Sequence, residues 1–366
     1  MNSQIIFASL TARPVRTSVS ILAVALEVTL ILVVVGLTAG ISNETGKRIE
    51  GVGADIMLQP PNSSIFLALN NSTMPRSLAD KIAEVPGVKA VSPVLTLVNT
   101  QGGLDVMYGI DPKSFDAVSG GFIWHKGKMF SQPDEIVIDD WWARARNLDV
   151  GSEITLLDRK FRVSGIVEHG KGARVFFALR VMEEMTGSLN RASLFFIKTN
   201  TPDDVTDVIQ RIGQILPTYP ARPLREFASL LTSANMPALD AFIQSVVFVA
   251  VCIGVLVIFL SMYTTITERT REIGILRSLG ASKSFIVRLI FQESVVVCIL
   301  GVVIGLGVSL VVARIVQVIF PTLVVLITQD WIAKASVFAI LSGLIGSLYP
   351  SLKAATQDPV EALAYE

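Results

Sequence analysis

The chain has 366 residues, 51% of them hydrophobic and 17% charged, with 31 basic and 31 acidic side chains. That is too apolar for an ordinary soluble protein and too charged to lie wholly in lipid, so part of the chain spans a bilayer and part does not. A formal net charge of zero removes the domain-wide basic excess that displaces phosphate counterions, and nucleic acid is not an expected partner.

Residues 1–17 form an amphipathic N-terminal segment in which Ile5, Ile6, Phe7 and Leu10 can lie on a membrane surface, with Arg13 and Arg16 behind them. The apolar run over 18–40 supplies the ~20 residues a helix needs to cross a bilayer and exceeds the ~7–15 of a cleaved signal core. It reads as a retained first span. Glu27 sits near its middle, where an ionised carboxylate costs at least ~2.5 kcal/mol on insertion scales, so it should face protein or water. Two roles stay open for it: a group that touches substrate or takes part in gating, and a packing residue at a dimer seam.

Residues 41–237 have mixed composition, with turns at Gln59-Pro60-Pro61, Gly102-Gly103 and Gly120-Gly121, and are long enough for one or two domains with cores. Residues 77–85 read as a helix with Ser77 as N-cap and Leu78, Ile82 and Val85 inward, followed by a strand over 88–98. This is an α/β part. A small β-rich part follows: a strand over 135–138, a helix capped by Asp139 or Asp140 that carries Trp141 and Trp142, and segments 154–157 and 160–167 paired across Asp158-Arg159. The tryptophans read as local core, with a ligand grip as the alternative. Residues 205–216 give a last helix with Val208, Ile209 and Ile212 on one face. The stretch with Ile65, Phe66, Leu67 and Leu69 reads as a buried edge strand or as an apolar finger touching lipid or a partner. His125 and His169 are the only histidines and are far apart, so no metal site is expected. No phosphate-binding G-x-x-x-x-G-K-[ST] loop or nucleophile elbow occurs, and the chain is not expected to be an enzyme.

Three further runs of spanning length cover 238–266, 289–320 and 331–350. Gly301, Gly305 and Gly307 in the third, and Gly343 and Gly346 in the fourth, allow close helix packing or dimer contacts. Between the second and third spans, residues 267–288 carry Glu268, Arg269, Arg271, Glu272, Arg277, Lys283 and Arg288, whereas the outer loop 321–330 has no Lys or Arg. The basic excess places the connector on the cytoplasmic side, with both termini, including the tail 351–366, and it places 41–237 outside. Ile273, Ile275, Leu276 and Leu279 alternate with Arg271, Glu272 and Arg277 at helical spacing, and Gly280 is a natural C-cap before a second helix from Ser282. Such a helix can pass force between a soluble partner and the spans; a solvated turn whose arginines only set topology is the plainer alternative.

The run ERTREIGILRSLGAS, with Gln292-Glu293, Gly301 and Gly305 beyond it, resembles the signature of the FtsX-like permease family, the membrane subunits of MacB, LolC/LolE and DevC-type ABC transporters. The resemblance implies a coupling helix seated in a groove of a cytoplasmic ATPase, with Glu268, Arg269, Arg271, Glu272, Gly274, Arg277, Gly280 and Ala281 as coupling residues. Glu27 and Glu293 are intramembrane candidates. GADIMLQP and IVIDDWWARARNLDVGSEITLLDRKFRVSGIVE resemble the MacB periplasmic core domain. The ending YPSLKAATQDPVEALAYE resembles the family's close at Tyr349, Pro350, Ala354, Ala355, Asp358, Pro359, Glu361, Ala362 and Leu363. Ser351 and Leu352 depart from the arginine or alanine common after the proline, and Lys353 partly replaces that charge.

The expected protein is therefore an α-helical membrane protein with four transmembrane helices and a mixed α+β extracytoplasmic domain inserted between helices 1 and 2. The resemblance implies an ABC permease subunit in a bacterial cytoplasmic membrane, working by mechanotransmission on an amphipathic cargo such as a lipid, lipoprotein, peptide, haem-like molecule or drug. It implies ATP and Mg bound by a separate ATPase partner and no cofactor in this chain, a second permease copy, contact with membrane lipid, and a periplasmic adaptor in some systems. An FtsX-type subunit that regulates a periplasmic or cell-wall partner without transport is the alternative, and a receptor or adhesion anchor is a third class.

Overall fold

A computed structural model describes residues 14–61, 63, 72–99, 105–230 and 237–357. The amphipathic stretch before Pro14, the Phe66-Leu67 stretch, the Gly102-Gly103 turn and the closing motif from Asp358 lie outside the described residues. The chain divides into two compact units, one of residues 1–40, 237–318 and 324–366 and the other of residues 41–236 and 319–323.

The first helix, α1 (Pro14–Glu50), begins at a proline, which is tolerated in a first turn because its missing N–H needs no partner there. It runs ten residues past the expected end of the span. Polar residues continue it: Glu44 and Arg48 pair across one turn at 3.9 Å, and the Thr45 hydroxyl donates to the Ile41 carbonyl.

In the second unit the chain continues through β1 (Ile56–Leu58), β2 (Met74–Pro75), α2 (Leu78–Ala83), β3 (Val88–Asn99) and β4 (Asp105–Ile110). Then come α3 (Pro112–Ser119), β5 (Trp124–Gly127), β6 (Glu135–Asp139), α4 (Asp140–Arg146), β7 (Glu153–Leu156) and β8 (Arg159–Val167). The rest is β9 (Val175–Ala178), α5 (Leu179–Thr186), β10 (Arg191–Ala192), β11 (Leu194–Thr199), α6 (Val205–Ile215), β12 (Ala221–Pro223) and α7 (Leu224–Leu230).

Ten of these strands form one sheet in the order β12-β1-β11-β3-β4-β9-β6-β8-β5, with β7 on β8. The parts read from the sequence as α/β and β-rich thus share a sheet, joined where β9 pairs parallel to β4 and antiparallel to β6. Such a join is invisible locally, because Met107 and Val175 meet only through long-range register. The inner strands are covered on both faces, which explains why LFFIKT and EIVID read as nearly continuous apolar runs. Alternate side chains feed different cores: Phe176 and Phe196 pack with Tyr108 and Phe115, Phe177 packs with Trp142 and Phe161, and Phe195 packs with Val208 and Ile212.

Local chemistry sets several boundaries. Asp139 caps α4 by accepting from the Trp142 amide at 2.6 Å. Ser77 makes no side-chain cap bond, and its backbone is already helical, so α2 begins without the predicted cap. The β7–β8 hairpin turns at Leu157-Asp158, one residue earlier than read, because both adopt positive φ (53° and 62°), the pair of conformations a tight two-residue hairpin needs.

The first unit holds the remaining helices: α8 (Pro237–Glu268), α9 (Thr270–Ser278), α10 (Lys283–Ile319) and α11 (Gln329–Thr356). Among the described residues, four helices are long and apolar enough to cross a membrane. Glycines bring them close. A Cβ on Gly301 would lie 2.6 Å from Val24 Cγ1, and one on Gly305 would lie 2.8 Å from the Ala25 carbonyl oxygen, both on α1. On α11, Gly343 faces Cys298 and Gly346 faces the Val255 carbonyl. Gly307 is different: nothing lies within 4 Å of its added Cβ, so it makes no close helix contact within this chain.

Candidate coupling site

The connector between α8 and α10 folds as read, into one short helix. The Arg269 and Ile273 backbone continues the hydrogen-bond ladder, and Gly280 closes α9 at φ +98°, a conformation that only glycine adopts without strain. The Gly280 and Ala281 amides donate to the Arg277 and Leu276 carbonyls, satisfying groups at the helix end. The Ser282 hydroxyl then accepts from the Phe285 amide at 3.2 Å and starts α10.

Two contacts anchor α9 to the spans. Arg269 Nε donates to Glu272 at 2.8 Å while its Nη1 reaches Glu293 Oε2 on α10 at 3.4 Å. Glu293 is buried, so the guanidinium supplies the countercharge that an intramembrane carboxylate requires. The Arg277 guanidinium donates to the Ala355 carbonyl near the end of α11, and Gly274 is buried beneath the helix. Predicted residues from three separate segments therefore meet. The opposite surface is open: Arg271 and Glu268 are exposed, and Ile275 and Leu279 remain 43% and 80% exposed. Apolar side chains left this open on a charged helix make a surface suited to a partner.

Glu27 lies inside the helical unit of its own chain and is 4% exposed there. Its Oε2 accepts from Ser342 Oγ at 3.1 Å, and a Cβ on Gly254 would collide with its carboxyl group. The glycine makes room that no other residue leaves. Lys353 also has an internal partner, donating to the Tyr263 hydroxyl at 2.9 Å over its ring. Lys353 remains exposed, whereas Ser351 is buried and bonds its own helix.

One residue escaped the sequence reading. Arg174 is 5% exposed in the second unit, with Nη1 3.2 Å from Asp139 Oδ2 and Nη2 donating to the Thr322 carbonyl at 3.3 Å. Thr322 belongs to the segment between α10 and α11. Burial pushes the Asp139 carboxyl up to about 6, against the pull of Arg174 and of the Trp142 amide. Only the buried arginine hints at this, and burial is not legible in GKGARVFF. Of the tryptophans, Trp142 is fully buried and donates to Asp105 Oδ2 at 2.9 Å, whereas Trp141 stacks on His169 at 4.1 Å.

The model of the MacB-like periplasmic core domain matches residues 17–215, more than half of the chain, and that of the FtsX-like permease C-terminal matches residues 245–359. The chain belongs to the MacB/FtsX family of ABC transporter permeases. The permease is 22% identical to the uncharacterized ABC transporter permease YknZ of Bacillus subtilis, over all of its own length and 99% of that protein. It is also 22% identical to an uncharacterized ABC transporter permease of Methanocaldococcus jannaschii, covering 92% of the one and 93% of the other. Against the macrolide export ATP-binding/permease protein MacB of Hahella chejuensis it is 22% identical, with 98% of the permease covering 59% of that protein. Among solved structures, the periplasmic region of MacB from Actinobacillus actinomycetemcomitans aligns with 50% of the permease and 95% of that chain, at a TM-score of 0.38 and 15% identity. The permease is a membrane protein, and its family implies an ATPase partner.

Proposed function

We propose that the permease converts ATP hydrolysis in a separate subunit, which binds ATP and Mg, into movement of its ectodomain, and so exports or extracts an amphipathic substrate. Two copies act together in a bacterial cytoplasmic membrane with all termini and α9 on the cytoplasmic face. The observation that carries this reading is the double anchoring of α9, by Arg269 to Glu293 on α10 and by Arg277 to the Ala355 carbonyl on α11, while Arg271, Ile275 and Leu279 stay open. A helix fixed to two spans transmits displacement instead of absorbing it. The macrolide export for which the MacB relatives are named supports the transport side of the reading.

The test is ATPase activity of the permease reconstituted with its ATPase subunit, titrated with lipids, lipoprotein, haem and amphipathic drugs. One ligand class should stimulate hydrolysis, and Glu272→Lys should abolish that stimulation, because reversal at this position repels Arg269 and alters the open face. Equal stimulation in the variant would sink the coupling role of α9. Robust activity indifferent to every ligand would favour the FtsX-type regulatory alternative.

A further inference from the structure

The helical unit contains a groove that the coupling reading does not use. It has a volume of about 870 Å³ and runs along the first turns of α10 beside the last turns of α11. That is within the roughly 300–1,000 Å³ of sites that hold small ligands. Its chemistry is graded along α10. Lys283 and Arg288 stand exposed at the connector end, and Val287, Phe291 and Val295 line the wall running into the apolar part of the helix. Among the described residues, no Asp or Glu lines the groove. Between the two zones lies Gln292, whose Oε1 is buried without a hydrogen-bond partner.

We propose that this groove holds an anionic phospholipid of the surrounding bilayer, with its phosphate against Lys283 and Arg288 and the upper part of an acyl chain against Val287, Phe291 and Val295. Charge complementarity selects this occupant. Two cations above an apolar wall match an anionic headgroup above a hydrocarbon tail, and basic sites of this kind at the ends of spans bind acidic lipids. The groove touches the α9 anchoring at one point, since Ala355, whose carbonyl accepts from Arg277, lines it, whereas Arg269, Arg271 and Arg277 do not. The lipid readout follows binding to the intact chain and does not require transport.

The experiment is native mass spectrometry of the intact permease, released from nanodiscs containing equal amounts of phosphatidylglycerol and phosphatidylcholine. The wild-type chain should retain phosphatidylglycerol in preference, and Lys283→Gln with Arg288→Gln should reduce that preference roughly thirtyfold, given about 1 kcal/mol for each basic residue near an anionic surface. Val295→Trp, which fills the groove and keeps both charges, should also remove the bound lipid. An unchanged preference in the double variant would overturn the proposal, as would retention unaffected by Val295→Trp, since the cations would then be acting as a diffuse surface attraction. Full displacement of the lipid by the ATPase subunit would overturn it too, assigning the groove to that partner.

Discussion

Gly305 and Gly307 lie two residues apart on α10, and the structure predicts opposite outcomes when each becomes alanine. A Cβ on Gly305 would sit 2.8 Å from the Ala25 carbonyl oxygen, 2.9 Å from Val28 Cβ and 3.1 Å from Ala25 Cα. Two of these are backbone atoms, so α1 must move to admit the methyl group. Overpacking of this kind costs about 1–3 kcal/mol. Movement would also stretch the bond from the Thr29 hydroxyl to the Gly305 carbonyl, now 3.1 Å, a type worth about 0.6 kcal/mol on average between membrane helices. Against this stands the helix-propensity gain of alanine over glycine, about 0.8–1.0 kcal/mol. Gly305→Ala should therefore be net destabilising by about 0.6–2.8 kcal/mol. Gly307→Ala meets nothing within 4 Å and keeps only the gain. Cys298 supplies the assay, because it is 1% exposed and Cys252 is the only other cysteine. In a Cys252→Ala background, thiol labelling by a maleimide dye during heating reports opening of the helical unit. Gly305→Ala should label at a lower temperature than wild type and Gly307→Ala at an equal or higher one. Equal midpoints for the two variants would refute the packing of α10 on α1.

Two further predictions concern the ectodomain. Trp142→Phe removes the indole donor to Asp105 and shrinks the aromatic face under Arg146, whose guanidinium carbon lies 4.1 Å from the Trp142 ring centre, while Arg146 still satisfies Asp105 at 2.7 Å. We expect a loss of about 2 kcal/mol, read as a fall in the ectodomain unfolding midpoint of roughly 4–8 °C; an unchanged midpoint would contradict this core. Burial raises the Asp55 carboxyl, but the Thr199 amide and hydroxyl and the Lys198 ammonium outweigh it and hold the group below its ordinary 3.8. The unfolded state then binds the proton first as pH falls, so the stabilisation is present above about pH 4 and is lost as pH drops below it. Asp55→Asn should flatten the acid limb of the ectodomain stability curve measured by urea titration from pH 6 to 3, and an identical limb in both proteins would count against the network.

Much of the chain was legible because its rules are local. Lipid offers backbone groups no partner, so a span must be one uninterrupted apolar helix, and hydropathy alone located four of them. Asp139 before α4, Gly280 after α9 and the apolar runs of β6 and β11 follow from residues within a turn of one another. The short helix α9 was legible for the same reason, as charges and apolar residues interleaved at helical spacing. Tertiary structure decided what depends on distant partners. It joined the two halves of the ectodomain through β9, brought Ser342 to Glu27 from 315 positions away, and gave Arg269, Arg277 and Arg174 their acceptors on other segments. It also separated Gly305 from Gly307, which sequence treats alike, because helical rotation turns one toward α1 and the other away. Short-range periodicity establishes that a helix or strand forms and which face is apolar; which partner meets that face is settled by the competition of all burials at once.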